Sequence, residues 1–200
     1  MVPGGVVVFF PSYDYEKTVH SRLTSTGLLA RLEAKKRIYR EPKSTADLDK
    51  VLADYATSVR LAGGALLLAV VGGKMSEGIN FSDDLGRAVV MVGLPYPNLH
   101  SPELKEKMAH LNRTVTAVDG KPAGQVHYEN LCMKAVNQSV GRAIRHKDDY
   151  AAILLLDHRF SKPNIISQLP GWISRHIRVA DKFGPVLPSI RTFFKGKEDK

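Results

Sequence analysis

Short, continuous apolar runs alternate with longer amphipathic stretches along the 200 residues of the chain. The runs are rich in β-branched residues and each ends at a proline, glycine or polar residue, which is typical of strands buried on both faces of a parallel sheet. Clear runs lie at 5–10, 65–71, 87–94 and 151–156, and a weaker one at 37–40. The alternation predicts an α/β fold, with a mainly parallel sheet and helices on both of its faces.

Helical periodicity fills the intervals between these runs. The clearest case is 44–61, where Leu48, Leu52, Tyr55 and Val59 recur at helical spacing behind a sequence that resembles a capping box. Further helices are predicted at 14–23, 102–113, 128–146, 163–169 and 172–177. Prolines and a charged end predict that 186–200 is a C-terminal tail, which leaves 1–185 as a single domain.

Composition and charge narrow the class of protein. Lys and Arg number 29 against 20 Asp and Glu, and the net charge of +9 favours polyanionic partners because each neutralised phosphate releases counterions. A basic but inert surface is the alternative.

The only cysteine, Cys132, forms no intrachain disulfide or multi-thiolate site, and the seven histidines lack zinc spacing, so no metal site is expected. The apolar runs are too short to cross a bilayer, so no membrane partner is expected.

The start of the chain carries a separate expectation. Met1 leads almost at once into a strand-like run, and nothing there resembles a signal peptide. We therefore expect a fragment of a longer protein in a soluble, reducing compartment.

Ligands of parallel α/β sheets gather at the carboxyl ends of the strands, so the loops there are the first places to search. After the first run come Ser12 and Tyr13, a hydroxyl and a ring suited to holding a phosphate and stacking on a base. The equally good alternative is a helix start, with Ser12 as its cap and Tyr13 packed on the sheet.

After the third run, Tyr96 lies between two prolines and is suited to stacking on a base, although a rigid turn with a packed tyrosine is the commoner arrangement.

The loop 72–81 has the glycines and charge of a phosphate-binding turn. Its three glycines expose backbone N–H groups, Lys74 adds charge, and Glu77 is suited to orienting water or a metal ion. It is not a Walker A loop, because Leu68 stands at the leading glycine position and Met75 replaces the Ser or Thr. The loop is therefore expected to face phosphate without cradling a triphosphate, and a ligand-free turn is the alternative.

Two arginines and a glutamine recur within the predicted helix at 128–146. At about 100° per residue, Gln138, Arg142 and Arg145 fall on one side of that helix, opposite its apolar stripe. Paired arginines stabilise charge on a transferred phosphoryl group, and a solvated basic helix face is the alternative. We expect these residues on the same side of the sheet as loops 11–13, 72–81 and 93–98.

The order of these motifs resembles a known family. They read Phe-Pro-Ser-Tyr at 10–13, Gly-Lys-Met-Ser-Glu-Gly-Ile-Asn-Phe at 73–81, Gly-Arg-Ala-Val-Val-Met-Val-Gly-Leu-Pro-Tyr at 86–96, and Gln-Ser-Val-Gly-Arg-Ala-Ile-Arg at 138–145. This is similar to motifs IV, V/Va and VI of superfamily 2 helicases, in the form used by XPD-like iron–sulfur DNA helicases. Among these helicases, the motifs most resemble those of the Chl-type helicase of sister-chromatid cohesion. The resemblance extends from Val6 to about Phe194.

The resemblance implies a RecA-like three-layer sandwich that serves as the second motor domain of the helicase, with ATP and Mg²⁺ shared with an N-terminal domain. That missing half would carry Walker A, the DEAH magnesium motif and a 4Fe–4S cluster. By the same resemblance, the catalytic residues would be Arg142 and Arg145, as arginine fingers, and Gln138, which holds phosphate or water.

The other motif residues receive roles from the same resemblance. The nucleotide-binding residues would be Gly73, Glu77, Gly78 and Asn80, in the loop that senses nucleotide. The residues lining the single-stranded DNA path would be Ser12, Tyr13, Lys74 and Tyr96. Many relatives carry Asp where Asn80 stands, so a carboxylate role is not expected there.

The expected partners are single-stranded or forked DNA, the N-terminal helicase domain of the same chain, and replication or cohesion factors, in the nucleus. A RecA-like module that binds nucleic acid or a partner without catalysis is the main alternative. A complete small NTPase or kinase is a third reading, but it needs its own triphosphate cradle. The isolated chain is expected to show background ATPase only.

Overall fold

The computed structural model describes residues 1–61, 63–75, 80–117 and 120–198. Within these ranges, no helix combines the length and the apolar character needed to cross a membrane.

A sheet of five parallel strands forms the centre of the protein, in the spatial order β2-β3-β1-β4-β5. The strands are β1 (Gly5–Phe10), β2 (Arg37–Arg40), β3 (Ala65–Val70), β4 (Ala88–Val92) and β5 (Ala152–Leu156). In the middle of the sheet, Val7 of β1 lies in register with Leu67 of β3 and Val89 of β4, and all three are fully buried. The prediction of a parallel sheet built from the apolar runs is confirmed.

Helices connect the strands on both faces of the sheet. They are α1 (Tyr13–Ser25), α2 (Leu28–Glu33), α3 (Leu48–Leu61), α4 (Pro102–Thr114), α5 (Ala123–Val140), α6 (Pro163–Ile166), α7 (Gly171–Ser174) and α8 (Val186–Glu198). Short 3₁₀ turns lie at Asp83–Gly86 and His158–Ser161. Successive residues of a strand point to opposite faces. Accordingly Phe9 packs edge-on against Phe81, with ring centroids 6.1 Å apart, while Phe10 contacts Tyr15 of α1 at 6.3 Å.

Helix α5 ends earlier than the periodicity predicts. It stops at Val140, and Gly141, its C-cap, donates its N–H to the carbonyl of Asn137 at 3.0 Å. The next two N–H groups donate to carbonyls three residues back, at 3.3 and 3.2 Å, which is a tighter turn than the α-helix, and Ala143 is fully buried. The prediction that 128–146 forms one helix is wrong for residues 141–146.

The segment expected to be a tail is instead helical. Residues Val186–Glu198 form α8, in which Ile190 and Phe194 are buried, and the rings of Phe194 and Tyr150 lie 6.4 Å apart. Pro188 is compatible with this helix because the first turn has no intrahelical use for its N–H groups. The tail prediction is therefore wrong for 186–198, while the domain boundary at residue 185 stays a prediction.

Helix α8 supports a prediction about stability. Phe194→Ala should lower the free energy of unfolding of residues 1–200 by about 3 kcal/mol, because it removes a ring that is only 2% exposed. The adjacent Phe193→Ala is the matched control, since that ring is 37% exposed and should cost much less. Urea denaturation of both variants measures the difference. Equal, small losses would contradict the packing of α8 against the domain.

Candidate functional site

The carboxyl ends of the strands bring together part of the predicted site. Tyr13 follows β1, Lys74 follows β3 and Tyr96 follows β4, so all three lie at this edge of the sheet. We call the residues gathered there the carboxyl-edge cluster. Its members are Ser12, Tyr13, Glu41, Gly73, Lys74, Met75, Tyr96, Tyr128, Asp157 and Arg159.

Ser12 and Tyr13 both have structural partners. The Oγ of Ser12 caps α1 by accepting the N–H of Tyr15 at 3.2 Å, so the helix-cap alternative is confirmed for this residue. The hydroxyl of Tyr13 donates to Oε1 of Glu41 at 2.9 Å. Burial, with this hydrogen bond and the carboxylate charge, raises the pKa of Tyr13 to about 12. Tyr13 therefore stays a neutral hydrogen-bond donor at physiological pH.

Glu41, which follows β2 directly, belongs to none of the predicted motifs. This buried carboxylate also accepts the N–H of Val70 on Oε2 at 2.8 Å and the N–H of Met75 on Oε1 at 3.3 Å. The sequence feature that could have indicated it is the position of an acidic residue directly after the strand run 37–40 and before Pro42. A Cβ on Gly73 would lie 2.2 Å from Oε1 of Glu41, so the absence of a side chain lets the loop pack this closely against the carboxylate.

Lys74 lies between two residues that pack on Glu41, Gly73 and Met75. Its Nζ donates to Oγ1 of Thr45, and its side chain is exposed. The ammonium is thus held at the edge of the cluster, where it is accessible to an anion.

The rings of Tyr96 and Tyr128 stack at the far end of the cluster. Their centroids lie 5.0 Å apart at an interplanar angle of 26°, and the Tyr128 hydroxyl donates to the carbonyl of Pro97 at 3.2 Å. The guanidinium of Arg159 lies 5.7 Å from the Tyr96 centroid. This arginine donates twice to Asp157, at 2.9 and 2.6 Å, and these hydrogen bonds hold the pKa of the Asp157 carboxyl below its usual value. Tyr96 is therefore part of a packed aromatic and cationic group.

A second group of predicted residues lies elsewhere. The guanidinium of Arg145 donates to Oδ1 of Asn80, and its backbone N–H donates to Asp149 at 3.3 Å. Asp149 in turn accepts from Arg87, the residue before β4, at 2.9 Å. The N–H of Phe81 donates to the carbonyl of Arg142 at 3.1 Å. We call Asn80, Arg142 and Arg145 the amino-edge group, because these contacts place them near the amino ends of the strands.

Three side chains beside the amino-edge group have potential metal-ligand atoms within 4.8 Å of one another: Asp83, His146 and Asp149. His146 already contacts Asp83 at 3.0 Å, and Arg87 supplies positive charge to Asp149. Arg87 also stacks over Tyr150 at 4.0 Å. Together these polar contacts and ion pairs hold the segment 142–150 against the sheet.

Gln138 is exposed on α5, in the last turns of that helix. It lines a shallow groove with Lys134, one turn earlier, and Gln168. Glu77 and Gly78, the two remaining candidates, lie outside the described residues.

Comparison with known proteins decides what these motifs belong to. Residues 1–176 match the Helicase C-terminal domain family. The chain belongs to that family. It is 54% identical to the ATP-dependent DNA helicase DDX11 of Mus musculus, in a match that covers 98% of this chain and 23% of the relative. It is 49% identical to the ATP-dependent DNA helicase CHL1 of Candida albicans, over 94% of this chain and 23% of that relative.

A solved structure of apo XPD supports the same assignment, with a TM-score of 0.59 and 26% identity over 82% of this chain and 30% of that one. The resemblance to an XPD-like, Chl-type helicase C-terminal domain and the RecA-like fold class are confirmed. The chain spans about a quarter of the length of the curated relatives it matches.

The helicase domain separates the predicted residues that were expected to share one side. Ser12 and Tyr13 follow the carboxyl end of β1, whereas Arg142 and Arg145 lie near the amino ends of the strands. The reason is the direction of α5, which starts near the carboxyl edge, where Tyr128 stacks on Tyr96. At 1.5 Å per residue the helix carries the chain roughly 20 Å before Arg142. The expectation of a single-sided site is wrong.

Proposed function

We propose that this chain is the second motor domain of an ATP-dependent DNA helicase, with separate surfaces for ATP and for single-stranded DNA. The curated relatives are named ATP-dependent DNA helicases, and the chain belongs to the helicase C-terminal domain family. The observation that carries the proposal is the contact between Arg145 and Asn80. It joins an arginine of the last motif to a residue of the glycine-rich loop at an edge distinct from the carboxyl-edge cluster.

Arg142 and Arg145 serve as arginine fingers in this proposal. A guanidinium pairs with phosphate oxygens in two-pronged geometry and stabilises the charge that develops on the transferred phosphoryl group. Gln138, exposed in the turn before them, contacts phosphate or the attacking water. Gly73, Glu77, Gly78 and Asn80 belong to the loop that responds to nucleotide.

ATP and Mg²⁺ are shared with an N-terminal motor domain, which supplies the triphosphate cradle. The residues of this chain fit half of such a site, because they offer arginines but no Walker A sequence. They do not fit an iron–sulfur cluster, since Cys132 is the only cysteine and is buried. In this proposal the 4Fe–4S cluster of the family belongs to the N-terminal part.

The carboxyl-edge cluster forms part of the track for single-stranded DNA. Tyr13 and Tyr96 offer rings, Ser12 offers a hydroxyl, and Lys74 offers an exposed ammonium. Aromatic stacking and phosphate contacts together suit a strand held without sequence preference. The net charge of +9 favours the same ligand, with an affinity that weakens as salt concentration rises.

Action in the nucleus on single-stranded or forked DNA, together with replication or cohesion factors, belongs to the same proposal. It rests on the names of the relatives, ATP-dependent DNA helicases of the DDX11 and CHL1 type.

The division of labour between two domains is testable with the isolated chain. Purified residues 1–200 should show only background ATPase with or without DNA, because the triphosphate has no cradle. A coupled assay of phosphate release measures this, with Arg142→Ala as the paired variant. Robust turnover that Arg142→Ala abolishes would contradict the half-site proposal and favour a complete NTPase.

A further inference from the structure

The carboxylate of Glu41, which follows β2, joins two other segments of the carboxyl-edge cluster, one after β1 and one at the end of β3. Its Oε1 accepts the hydroxyl of Tyr13, from the segment after β1, and the N–H of Met75, from the loop after β3. Its Oε2 accepts the N–H of Val70 at the end of β3. The residue is only 8% exposed, so these bonds replace the water that a buried carboxylate has lost.

Two basic side chains near Glu41 pair with other groups, so hydrogen bonds hold its carboxylate in place. Arg40, adjacent in sequence, donates twice to Glu16 at 2.7 Å, and Lys74 donates to Thr45. The Glu41 carboxylate is thereby directed at the backbone on both sides of Lys74, through the close approach of Gly73 and the N–H of Met75.

The contacts at this position require a carboxylate rather than an amide. Both oxygens of an ionised Glu accept, whereas Gln offers one acceptor and one donor group. Oε1 faces the N–H of Met75 and Oε2 faces the N–H of Val70, so a glutamine side chain in either orientation would set an amide donor against a backbone donor. Glu41→Gln therefore loosens at least one of the two backbone contacts, to Val70 or to Met75, at nearly constant side-chain volume.

We propose that Glu41 is a positioning residue of the DNA track, which holds the Tyr13 ring and Lys74 as one rigid surface for a single-stranded DNA backbone and base. The inference rests on the proposed function, since it requires that Tyr13 and Lys74 contact DNA. Glu41 itself contacts no DNA in this arrangement. It acts by fixing the relative position of two residues that come from different strand ends.

A double-mutant cycle in the full-length parent helicase tests this role. The affinity for a fluorescein-labelled single-stranded oligothymidine is measured by anisotropy for Glu41→Gln, Tyr13→Phe and the double variant. Each single change should weaken binding by about tenfold, and the two losses should not multiply in the double variant, because both changes disturb the one carboxylate that holds Tyr13 and the loop in place. Both single variants should raise the DNA concentration that half-saturates the ATPase more than they lower the ATPase rate at saturating DNA.

The matched control is Glu33→Gln, which makes the same change at an exposed residue of α2 and should bind like the wild type. Wild-type affinity of Glu41→Gln, or losses that multiply in the double variant, would overturn the inference. Should Glu41→Gln fail to fold, Tyr13→Phe alone decides, since it removes only the hydroxyl, and wild-type binding by that variant overturns the proposal.

Two further variants separate this inference from the proposed function. Tyr13→Ala and Lys74→Ala test the track directly. If both weaken binding while Glu41→Gln does not, the track stands and the role of Glu41 is wrong. If neither weakens binding, the track assignment fails and the role of Glu41 fails with it.

Discussion

Arg142→Ala in the full-length parent helicase should lower kcat for ATP hydrolysis by about 10³-fold, the typical effect of losing an arginine finger. The reason is that the guanidinium meets charge that develops on the transferring phosphate and is absent from the ground state. Steady-state ATPase at saturating DNA measures the effect. The KM for ATP should change much less than kcat.

Arg31→Ala is the control for this prediction, because it removes an exposed arginine of α2 without touching the amino-edge group. Arg145→Ala should also lower kcat, and it additionally breaks the contact with Asn80. Normal turnover by Arg142→Ala would show that this arginine is not a finger.

Replacing Ser12 and Tyr13 together with alanine should weaken single-stranded DNA binding by about tenfold or more, because one base-stacking ring and two hydroxyls are lost. Unwinding should fall with the affinity. The measurement is anisotropy of a labelled single strand on the full-length parent.

Tyr15→Ala is the matched control for the ring, since Tyr15 lies on the same helix with its ring against Phe10. It should bind DNA with near wild-type affinity. If Tyr15→Ala weakens binding and the Ser12 and Tyr13 change does not, the track runs along α1 rather than over the carboxyl-edge cluster.

The strands were predictable because burial on both faces of a parallel sheet leaves a continuous apolar run in the sequence. Val7 and Phe9 of β1 face one side of the sheet and Phe10 faces the other, and all three are buried. The helicase motifs were recognisable for a different reason, since their residues and their order along the chain resemble those of a known family.

The position of the arginines was not predictable from periodicity. Gln138, Arg142 and Arg145 fit one helical face, yet α5 ends at Val140. Burial of Ala143 and the bond from Phe81 to Arg142 depend on residues some 60 positions earlier in the chain, which no local pattern reports. The same long-range packing explains α8, where Phe194 is buried against a domain that starts far upstream.

The role of Glu41 was not predictable from the sequence because its partners are distant in the chain. Tyr13 lies 28 positions before it and Met75 lies 34 positions after it. A lone Glu before a proline is typical of an exposed turn, and only the sheet order β2-β3-β1 brings it beside both loops.

In the proposed mechanism, this domain uses one edge for ATP chemistry and the other for the DNA strand. Single-stranded DNA affinity and ATPase, measured side by side for Arg142→Ala and Tyr13→Ala in the full-length parent, test this division. We expect that Arg142→Ala binds DNA normally but does not hydrolyse ATP, and that Tyr13→Ala loses DNA affinity but retains ATPase at saturating DNA. If Arg142→Ala hydrolyses ATP normally yet releases DNA, the two roles are assigned to the wrong edges.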